Sequence, residues 1–305
     1  MRLATIRSGR EELAGIVTEG GVLPLRALNR TLGTHWSETL FPLISQSQLR
    51  PLTDWYQRTG REHLDSLPGL IPWAQVVYAP LYRCPRRIFG IGLNYRDHAQ
   101  DIGDPPPQGF PGSFFKAADT LIGPGDQICL PRLPQAVRTT AEAELGIILG
   151  RDCRDVPEES WMDAVAGFTT VLDMTEESIL KGHGSLAGNP RYLTIAKNFP
   201  TFFSFGPQLV TPDEVPDVQK LEVQSVLNGQ VWARNIVANM THLPARLVSL
   251  HSSIQGWLAG DVLSTGTPRA FPLSDGDKAE CRILGPDGFS MEPLINPVID
   301  LKKQG

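Results

Sequence analysis

The sequence predicts a mostly β protein with some α-helix, in which a small N-terminal α+β unit over residues 1–80 precedes a β-rich unit over residues 81–305. Three observations support this prediction. A chain of 305 residues is longer than one average domain. Short apolar runs recur between turn residues along most of the chain. Four prolines between positions 68 and 85 separate two regions that differ in their pattern of apolar residues.

The N-terminal unit is predicted to contain three short strands and a helix. Apolar residues cluster at positions 3–6, 15–17 and 21–25, and glycines between these clusters favour turns. Residues 46–67 are more polar and are predicted to be helical. Together these elements indicate a small α+β unit.

The larger unit is predicted to consist mainly of strands, because the runs RIFGIGL, ELGIILG, FTTVLD and LEVQSVLNG alternate with turn signals. One helix is predicted over residues 157–166, with Pro157 in its first turn and Gly167 ending it in the left-handed conformation. The following strand, residues 168–173, would carry Asp173 at its far end.

Composition narrows the class of function. The net charge of −5 and the absence of a long lysine or arginine run argue against nucleic acid or an anionic membrane as a partner. No segment approaches 18 apolar residues and the N-terminus lacks a signal-peptide pattern, so a cytoplasmic location is expected. The four cysteines are scattered without a C-x-x-C pair, which favours reduced thiols over disulfides or a zinc site.

Two glutamates spaced two apart, Glu142 and Glu144, precede a nearly continuous apolar run. In a strand, both side chains point to the same face. They are either a solvated strand end or part of a buried site in which a hard divalent cation neutralises the repelling carboxylates. Asp173 is the candidate for a third carboxylate ligand.

Seven segments, taken together and in order, resemble the fumarylacetoacetate hydrolase family. They are GIGLNYRDHAQDIG, FFK, AEAELGIILG, AVAGFTTVLDMT, TIAKNF, LNGQ and GDVLSTGTP. The resemblance covers residues 87–299, and the N-terminal unit is similar to the small domain of many bacterial members. It implies a mixed β-sandwich or β-roll catalytic domain, usually a homodimer, that binds Mg²⁺ or Mn²⁺ through Glu142, Glu144 and Asp173.

The resemblance also implies roles for other residues. His98, oriented by Asp101, would activate water, and Lys197 would share the negative charge that develops on the substrate. Asp101 stands where relatives of the acylpyruvate hydrolase kind have glutamate. The residues expected to contact substrate are Tyr95, Lys116, Glu177 and Thr267.

One position departs from the family pattern. Glu177 stands where relatives commonly have an arginine that binds a substrate carboxylate. Either Arg138 or Arg191 replaces that cation, or the substrate is larger and less acidic, such as a β-diketone from secondary metabolism or aromatic degradation. Residues 181–191 contain three glycines and are predicted to form a loop that can act as a lid.

The expected function is that of a divalent-metal-dependent hydrolase that cleaves a carbon-carbon bond in a 1,3-dicarbonyl or acylpyruvate-type small molecule, through an enolate bound to the metal ion. A decarboxylase or a keto-enol isomerase acting on a related 2-oxo acid is an alternative, because it needs the same stabilised enolate without an attacking water. A non-catalytic binding protein on the same scaffold is a second alternative, since a fold does not by itself imply a reaction.

Overall fold

The computed structural model describes residues 1–96, 109–181 and 190–304. In chain order, the strands of these residues are β1 (Arg2–Ser8), β2 (Glu11–Val17), β3 (Gly21–Pro24), β4 (Ile71–Pro72), β5 (Ile88–Gly92), β6 (Gly112–Lys116), β7 (Leu121–Ile122), β8 (Ile128–Leu130), β9 (Thr139–Leu149), β10 (Val165–Glu176), β11 (Phe203–Phe205), β12 (Gln208–Val210), β13 (Glu222–Leu227), β14 (Gln230–Ile236), β15 (Val262–Ser264), β16 (Phe271–Pro272), β17 (Lys278–Leu284) and β18 (Leu294–Asp300). The α-helices are α1 (Leu25–Leu32), α2 (Leu40–Ser45), α3 (Leu49–Trp55), α4 (Glu177–Lys181), α5 (Leu193–Lys197) and α6 (Pro244–Ile254). The prediction of a mostly β protein with some α-helix is confirmed.

Two sheets make up the framework. The larger sheet has 13 strands, ten of which run in the order β4-β3-β2-β1-β12-β10-β9-β15-β5-β6. The remaining three strands lie off this path: β11 pairs with β10 and with β7, and β16 pairs with β9. The smaller sheet has five strands in the order β14-β13-β17-β18-β8. The long antiparallel pair β9 and β10 lies in the middle of the larger sheet.

The main core lies between these two sheets. Leu145 and Ile147 of β9 and Leu172 of β10 belong to one buried cluster with Val223 of β13 and Ile283 of β17. Strand β10 is buried along its whole length. Both faces of the central pair are therefore covered, as its continuous apolar runs predict.

A second core joins the N-terminal region to the larger sheet. Leu3, Leu28 and Leu52 cluster there with Ile148 of β9 and Phe203 of β11. Strand β1 also pairs directly with β12, so the hydrogen-bonded sheet continues across the boundary expected between residues 80 and 81. The division into units 1–80 and 81–305 stays a prediction.

The prediction of a helix over residues 157–166 is wrong about the length of the helix and about the residue at which it ends. A 3₁₀-helix covers Glu158–Ala164, and Val165 already pairs with Leu149 as the first residue of β10. Gly167 lies inside this strand, where an added Cβ would come within 2.6 Å of the Val210 carbonyl oxygen of β12. The glycine is needed for close approach of two strands, and strand pairing prevails over the local helix signals.

The N-terminal helices also differ from the prediction. Residues 46–67 contain α3, a π-helical turn over Tyr56–Gly60 and a 3₁₀-helix over Leu64–Ser66, instead of one continuous helix. Helices α1 and α2 were not predicted. Helices this short are not stable alone and depend on packing against the sheet, which a local pattern does not show. No helix in the described ranges is long and apolar enough to cross a membrane.

Candidate functional site

Three carboxylates meet on one face of the β9–β10 pair. Glu142 and Glu144 alternate along β9 with residues of the opposite face, so both side chains point the same way. The antiparallel register places Asp173 of β10 directly opposite Glu142. Each of the three residues offers an oxygen, and these oxygens lie within 4.8 Å of one another.

Glu144 is fixed by donors from the end of β15 and from the segment that follows it. Its Oε2 accepts hydrogen bonds from the Ser264 hydroxyl at 2.5 Å and from the Gly266 amide at 2.7 Å. Gly266 has a φ of +99°, and an added Cβ would come within 2.7 Å of the Asn94 Cβ, so only glycine suits this turn. On the other side of the site, the Thr175 hydroxyl donates to Glu142 Oε1 at 3.3 Å.

Lys197 lies between two of the carboxylates. Its Nζ donates to Glu142 Oε2 at 2.6 Å and to Asp173 Oδ2 at 2.7 Å, and its side chain is 5% exposed. It also lies over the Phe114 ring, 4.7 Å from the centroid. Burial lowers the pKa of Lys197, but the carboxylates of Asp173, Glu142 and Glu144 outweigh burial and raise it above the ordinary lysine value. Lys197 is therefore a buried ammonium ion at the centre of the cluster.

Lys116, at the end of β6, approaches the same aspartate from the other side. Its Nζ lies 2.6 Å from Asp173 Oδ1, an ion contact that lacks hydrogen-bond geometry. The ammonium donates hydrogen bonds to the backbone carbonyls of Met174 and Lys197. Its side chain is 0% exposed. Burial lowers the pKa of Lys116 to about 8, and the neighbouring Lys197 adds to this effect while Asp173 opposes it.

The donor set fits a divalent cation. Three carboxylates face two buried ammonium groups, so the cluster lacks one positive charge. Burial, together with the charges of Asp173 and Glu142, accordingly raises the pKa of Glu144 to about 8. Oxygens that share a Mg²⁺ ion at about 2.1 Å lie at most about 4.2 Å apart, so the three carboxylates would have to draw closer to bind one ion. A hard cation prefers such oxygen ligands.

Two residues expected to contact substrate lie near this cluster. Tyr95 is 0% exposed, and its hydroxyl has no hydrogen-bond partner among the described groups. Burial raises the pKa of Tyr95, and the negative charge of Glu144 adds to the effect. Thr267 is also buried, one residue after the glycine that binds Glu144, and its hydroxyl donates to the Arg269 carbonyl at 3.4 Å.

Glu177, the departure from the family pattern, is paired with two cations. Its Oε2 lies 2.8 Å from Arg138 Nε and 3.1 Å from Lys181 Nζ. An arginine at this position would attract a substrate carboxylate, whereas an isolated glutamate would repel one. Because Arg138 and Lys181 both pair with it, Glu177 is not an isolated negative charge.

Two expected site residues and most of the proposed lid lie outside the described residues. His98 and Asp101 fall within residues 97–108, and residues 182–189 make up most of the loop predicted over 181–191. Their roles stay predictions.

Sequence reasoning missed the residues that orient the carboxylates. Ser264 and Gly266 belong to the STGTP segment, of which only Thr267 was singled out. Glu176 was missed as well, although it is a fully buried carboxylate next to Glu177. The sequence contained a sign of this role, because Glu176 is a charged residue at the end of an apolar strand, and a buried charge requires hydrogen-bond partners.

Comparisons with known proteins show which family the chain resembles. Residues 87–298 match the family described as fumarylacetoacetate (FAA) hydrolase, C-terminal. An uncharacterised protein of Archaeoglobus fulgidus is 36% identical over 214 residues, which are 70% of this chain and 80% of that protein. The crystal structure of maleylpyruvate hydrolase from Sphingobium sp. SYK-6, in complex with manganese(II) and pyruvate, is similar with a TM-score of 0.72 and 25% identity, over 98% of this chain and 99% of that one.

A further solved structure shares the fold. It is 5-carboxymethyl-2-hydroxymuconate delta-isomerase from Mycobacterium smegmatis, with a TM-score of 0.70 and 24% identity, over 98% of this chain and 99% of that one.

Proposed function

Since the chain belongs to the fumarylacetoacetate hydrolase family and is therefore an enzyme, we propose that it is a divalent-metal-dependent hydrolase of a small 1,3-dicarbonyl or acylpyruvate-type substrate. The observation that carries the proposal is the convergence of Glu142, Glu144 and Asp173 within 4.8 Å, with two buried lysines. The metal-bound neighbour with pyruvate supports the same class of ligand.

Glu142, Glu144 and Asp173 would hold Mg²⁺ or Mn²⁺. The bound cation would supply Lewis-acid stabilisation of negative charge on the substrate oxygens. The Ser264 hydroxyl and the Gly266 amide hold one oxygen of Glu144 in place. The carboxylate group would therefore already be oriented when the cation binds.

Lys197 would contribute a second, permanent positive charge. Its raised pKa keeps it protonated at neutral pH, and its burial means that its charge acts in a poorly screened environment. It would stabilise the enolate that forms when the carbon-carbon bond breaks and the leaving carbon takes the electron pair. Tyr95 and Thr267 would contact substrate oxygens.

Water activation is assigned to His98, oriented by Asp101. The imidazole would take the proton of the attacking water, and the same proton would later complete the leaving carbon. This dyad is proposed from the sequence motif.

The direct test is turnover by the purified protein with Mg²⁺ or Mn²⁺ and, separately, with EDTA. Acetylpyruvate, fumarylpyruvate, oxaloacetate and a neutral β-diketone form a suitable panel, with products identified by NMR. If the proposal is right, an acylpyruvate is cleaved to a carboxylic acid and pyruvate only when the metal is present. Glu144→Gln should abolish both turnover and metal binding by calorimetry. Turnover that is unaffected by EDTA and by Glu144→Gln would refute the metal role.

A decarboxylase or keto-enol isomerase needs the same charge stabilisation but no attacking water. Asp101→Asn separates the possibilities, because it should abolish hydrolysis while leaving tautomerisation largely intact. Loss of both reactions in equal measure would count against a water-activating role. The homodimer and the cytoplasmic location stay predictions.

A further inference from the structure

A buried side-chain amide connects three segments of the chain beside the carboxylate cluster. Asn94 is 1% exposed and lies two residues after the end of β5. Its Oδ1 accepts a hydrogen bond from the His242 amide at 2.8 Å. Its Nδ2 donates to the carbonyl of His242 at 3.0 Å and to the carbonyl of Thr265 at 2.8 Å. Both N–H bonds of the side-chain amide are therefore used, each on main chain from a different segment.

The hydrogen bond to Thr265 acts on the peptide group that binds Glu144. The Thr265 carbonyl and the Gly266 amide belong to one peptide bond, which is trans. In a trans peptide the C=O and N–H bonds point in opposite directions. Asn94 binds the carbonyl on one side of this peptide, and on the other side the Gly266 amide donates to Glu144 Oε2 at 2.7 Å. Asn94 thus fixes the direction in which this N–H points.

The peptide needs such a restraint because its second residue is glycine. Gly266 has a φ of +99°, and glycine adopts positive and negative φ with similar ease. Type I and type II turns differ in the orientation of just such a central peptide. The residue before it is anchored, since the Thr265 amide and hydroxyl donate to the Leu145 carbonyl at 3.1 Å and 2.8 Å. Rotation of the Thr265–Gly266 peptide is the freedom that remains.

Glu144 alone is a weak restraint on this peptide when a cation is bound. A cation on the same carboxylate would compete with the Gly266 N–H for its negative charge. The hydrogen bond from Asn94 is made to the opposite side of the peptide, so the cation would not weaken it directly. The restraint from Asn94 therefore matters most in the metal-bound site.

The main chain around Asn94 is held independently of its side chain. The Thr241 amide donates to the Asn94 carbonyl at 2.7 Å, and Tyr95 forms an antiparallel bridge with Met240. These contacts use main-chain atoms, so they remain when the side chain is replaced. A variant at this position should therefore keep the segment in place and lose the contact with Thr265.

We infer that Asn94 is a positioning residue for Glu144, whose side chain holds the Thr265–Gly266 peptide so that the Gly266 N–H is directed at this carboxylate. Asn94 acts through the peptide, since its three side-chain hydrogen bonds all go to main-chain atoms. The inference goes beyond the proposed function and rests on it in one respect. Its consequence for metal affinity requires that Glu144 binds the cation.

The first measurement is the Mg²⁺ dissociation constant, by calorimetry on the full chain. Asn94→Ala removes the amide, and Asn94→Leu removes it while keeping a branched side chain of similar size. Both should weaken Mg²⁺ binding by about tenfold or more, the range for groups that orient metal ligands. Two variants are used so that the result does not depend on how one of them packs, and thermal unfolding reports the stability of each.

Asn296→Ala is the matched control. Asn296 is 0% exposed, and its Nδ2 also donates to two main-chain carbonyls, those of Gly123 and Asp126, both at 2.8 Å. Its loss should lower the melting temperature for the same reason as the loss of Asn94, because buried carbonyls lose their donor. It should leave the Mg²⁺ dissociation constant unchanged, since these hydrogen bonds hold a turn and no residue of the triad.

The second measurement is hydrogen exchange at the Gly266 amide, by NMR on the metal-free protein. In both Asn94 variants this amide should exchange faster than in the wild type and in Asn296→Ala, because the peptide that carries it is held on one side only. A general loss of stability would affect the control as well, so the comparison isolates the local effect.

Equal Mg²⁺ affinity in the Asn94 variants and in Asn296→Ala would overturn the inference. Exchange at Gly266 that is no faster in the Asn94 variants than in the control would overturn it too, even if Mg²⁺ affinity falls. A wild type that binds no Mg²⁺ would refute the proposed metal role, whereas exchange at Gly266 would still decide whether Asn94 holds the peptide.

Discussion

Replacement of Lys116 by methionine should destabilise the protein strongly, and Mg²⁺ should reduce that loss. Lys116 is 0% exposed and lies 2.6 Å from Asp173, so methionine fills much of the same space but leaves a buried carboxylate with one cation fewer. Removing one partner of a buried ion pair costs about 3–5 kcal/mol. The hydrogen bonds to the Met174 and Lys197 carbonyls are lost as well.

The expected shift follows from the size of the chain. At about 2.1 cal/mol/K per residue, the unfolding entropy of this chain is about 0.6 kcal/mol/K, so the melting temperature should fall by about 5–8 °C. The assay is differential scanning calorimetry in EDTA and again with excess Mg²⁺. The deficit should be smaller with Mg²⁺, because a bound cation supplies the missing positive charge.

Lys220→Met is the matched control. Lys220 is 70% exposed and pairs with Asp217 on the surface, so its replacement should change the melting temperature by no more than about 1 °C. If Lys116→Met shifts the melting temperature no further than this control, or if Mg²⁺ leaves the deficit unchanged, the account of Lys116 as a counter-charge for Asp173 is wrong.

Three further predictions concern the site and its support. Burial and the two neighbouring carboxylates raise the pKa of Glu144 to about 8, so the affinity for Mg²⁺ should rise up to about tenfold per pH unit between pH 6 and 8, with release of a proton. Calorimetry in two buffers of different ionisation enthalpy measures the affinity and the proton release, and an affinity that does not change with pH would contradict the role of Glu144 as a metal ligand. Tyr95→Phe should leave the melting temperature within about 1 °C, since the hydroxyl lacks a protein partner in the described ranges, but should raise KM; an unchanged KM would exclude a substrate contact. Arg87→Met should cost about 3 kcal/mol, because it leaves the charge of the fully buried Asp261 without its cationic partner. A second change, Asp261→Asn, should recover part of the melting temperature, and no recovery would refute this ion-pair explanation.

Much of the site was accessible from the sequence because strand periodicity is a local rule. The spacing of Glu142 and Glu144 predicts a shared face, and the following apolar run predicts burial. Both are observed. That Asp173 lies beside the two glutamates was expected from the spacing and the motif. Its position depends on the register of β9 against β10, which no local pattern contains.

The misplaced helix illustrates the opposite case. The residues around Pro157 carry ordinary helix-start signals, and Gly167 is a typical helix end. In the structure Gly167 is instead needed for the close approach of β12, a strand more than 40 residues further along the chain. Contacts this distant outweigh local propensity, which differs between residues by only about 1 kcal/mol.

By itself, the sequence determined which chemical groups are present and, through strand periodicity, that two of the acidic groups share a face. Only the tertiary structure decided how those charges are balanced: that Lys116 and Lys197 flank Asp173, and that Arg138 and Lys181 neutralise Glu177. The physical reason is that charge compensation acts across a few ångströms in space between residues far apart in the chain, and its strength depends on burial. The distances between these side chains are not set by local sequence.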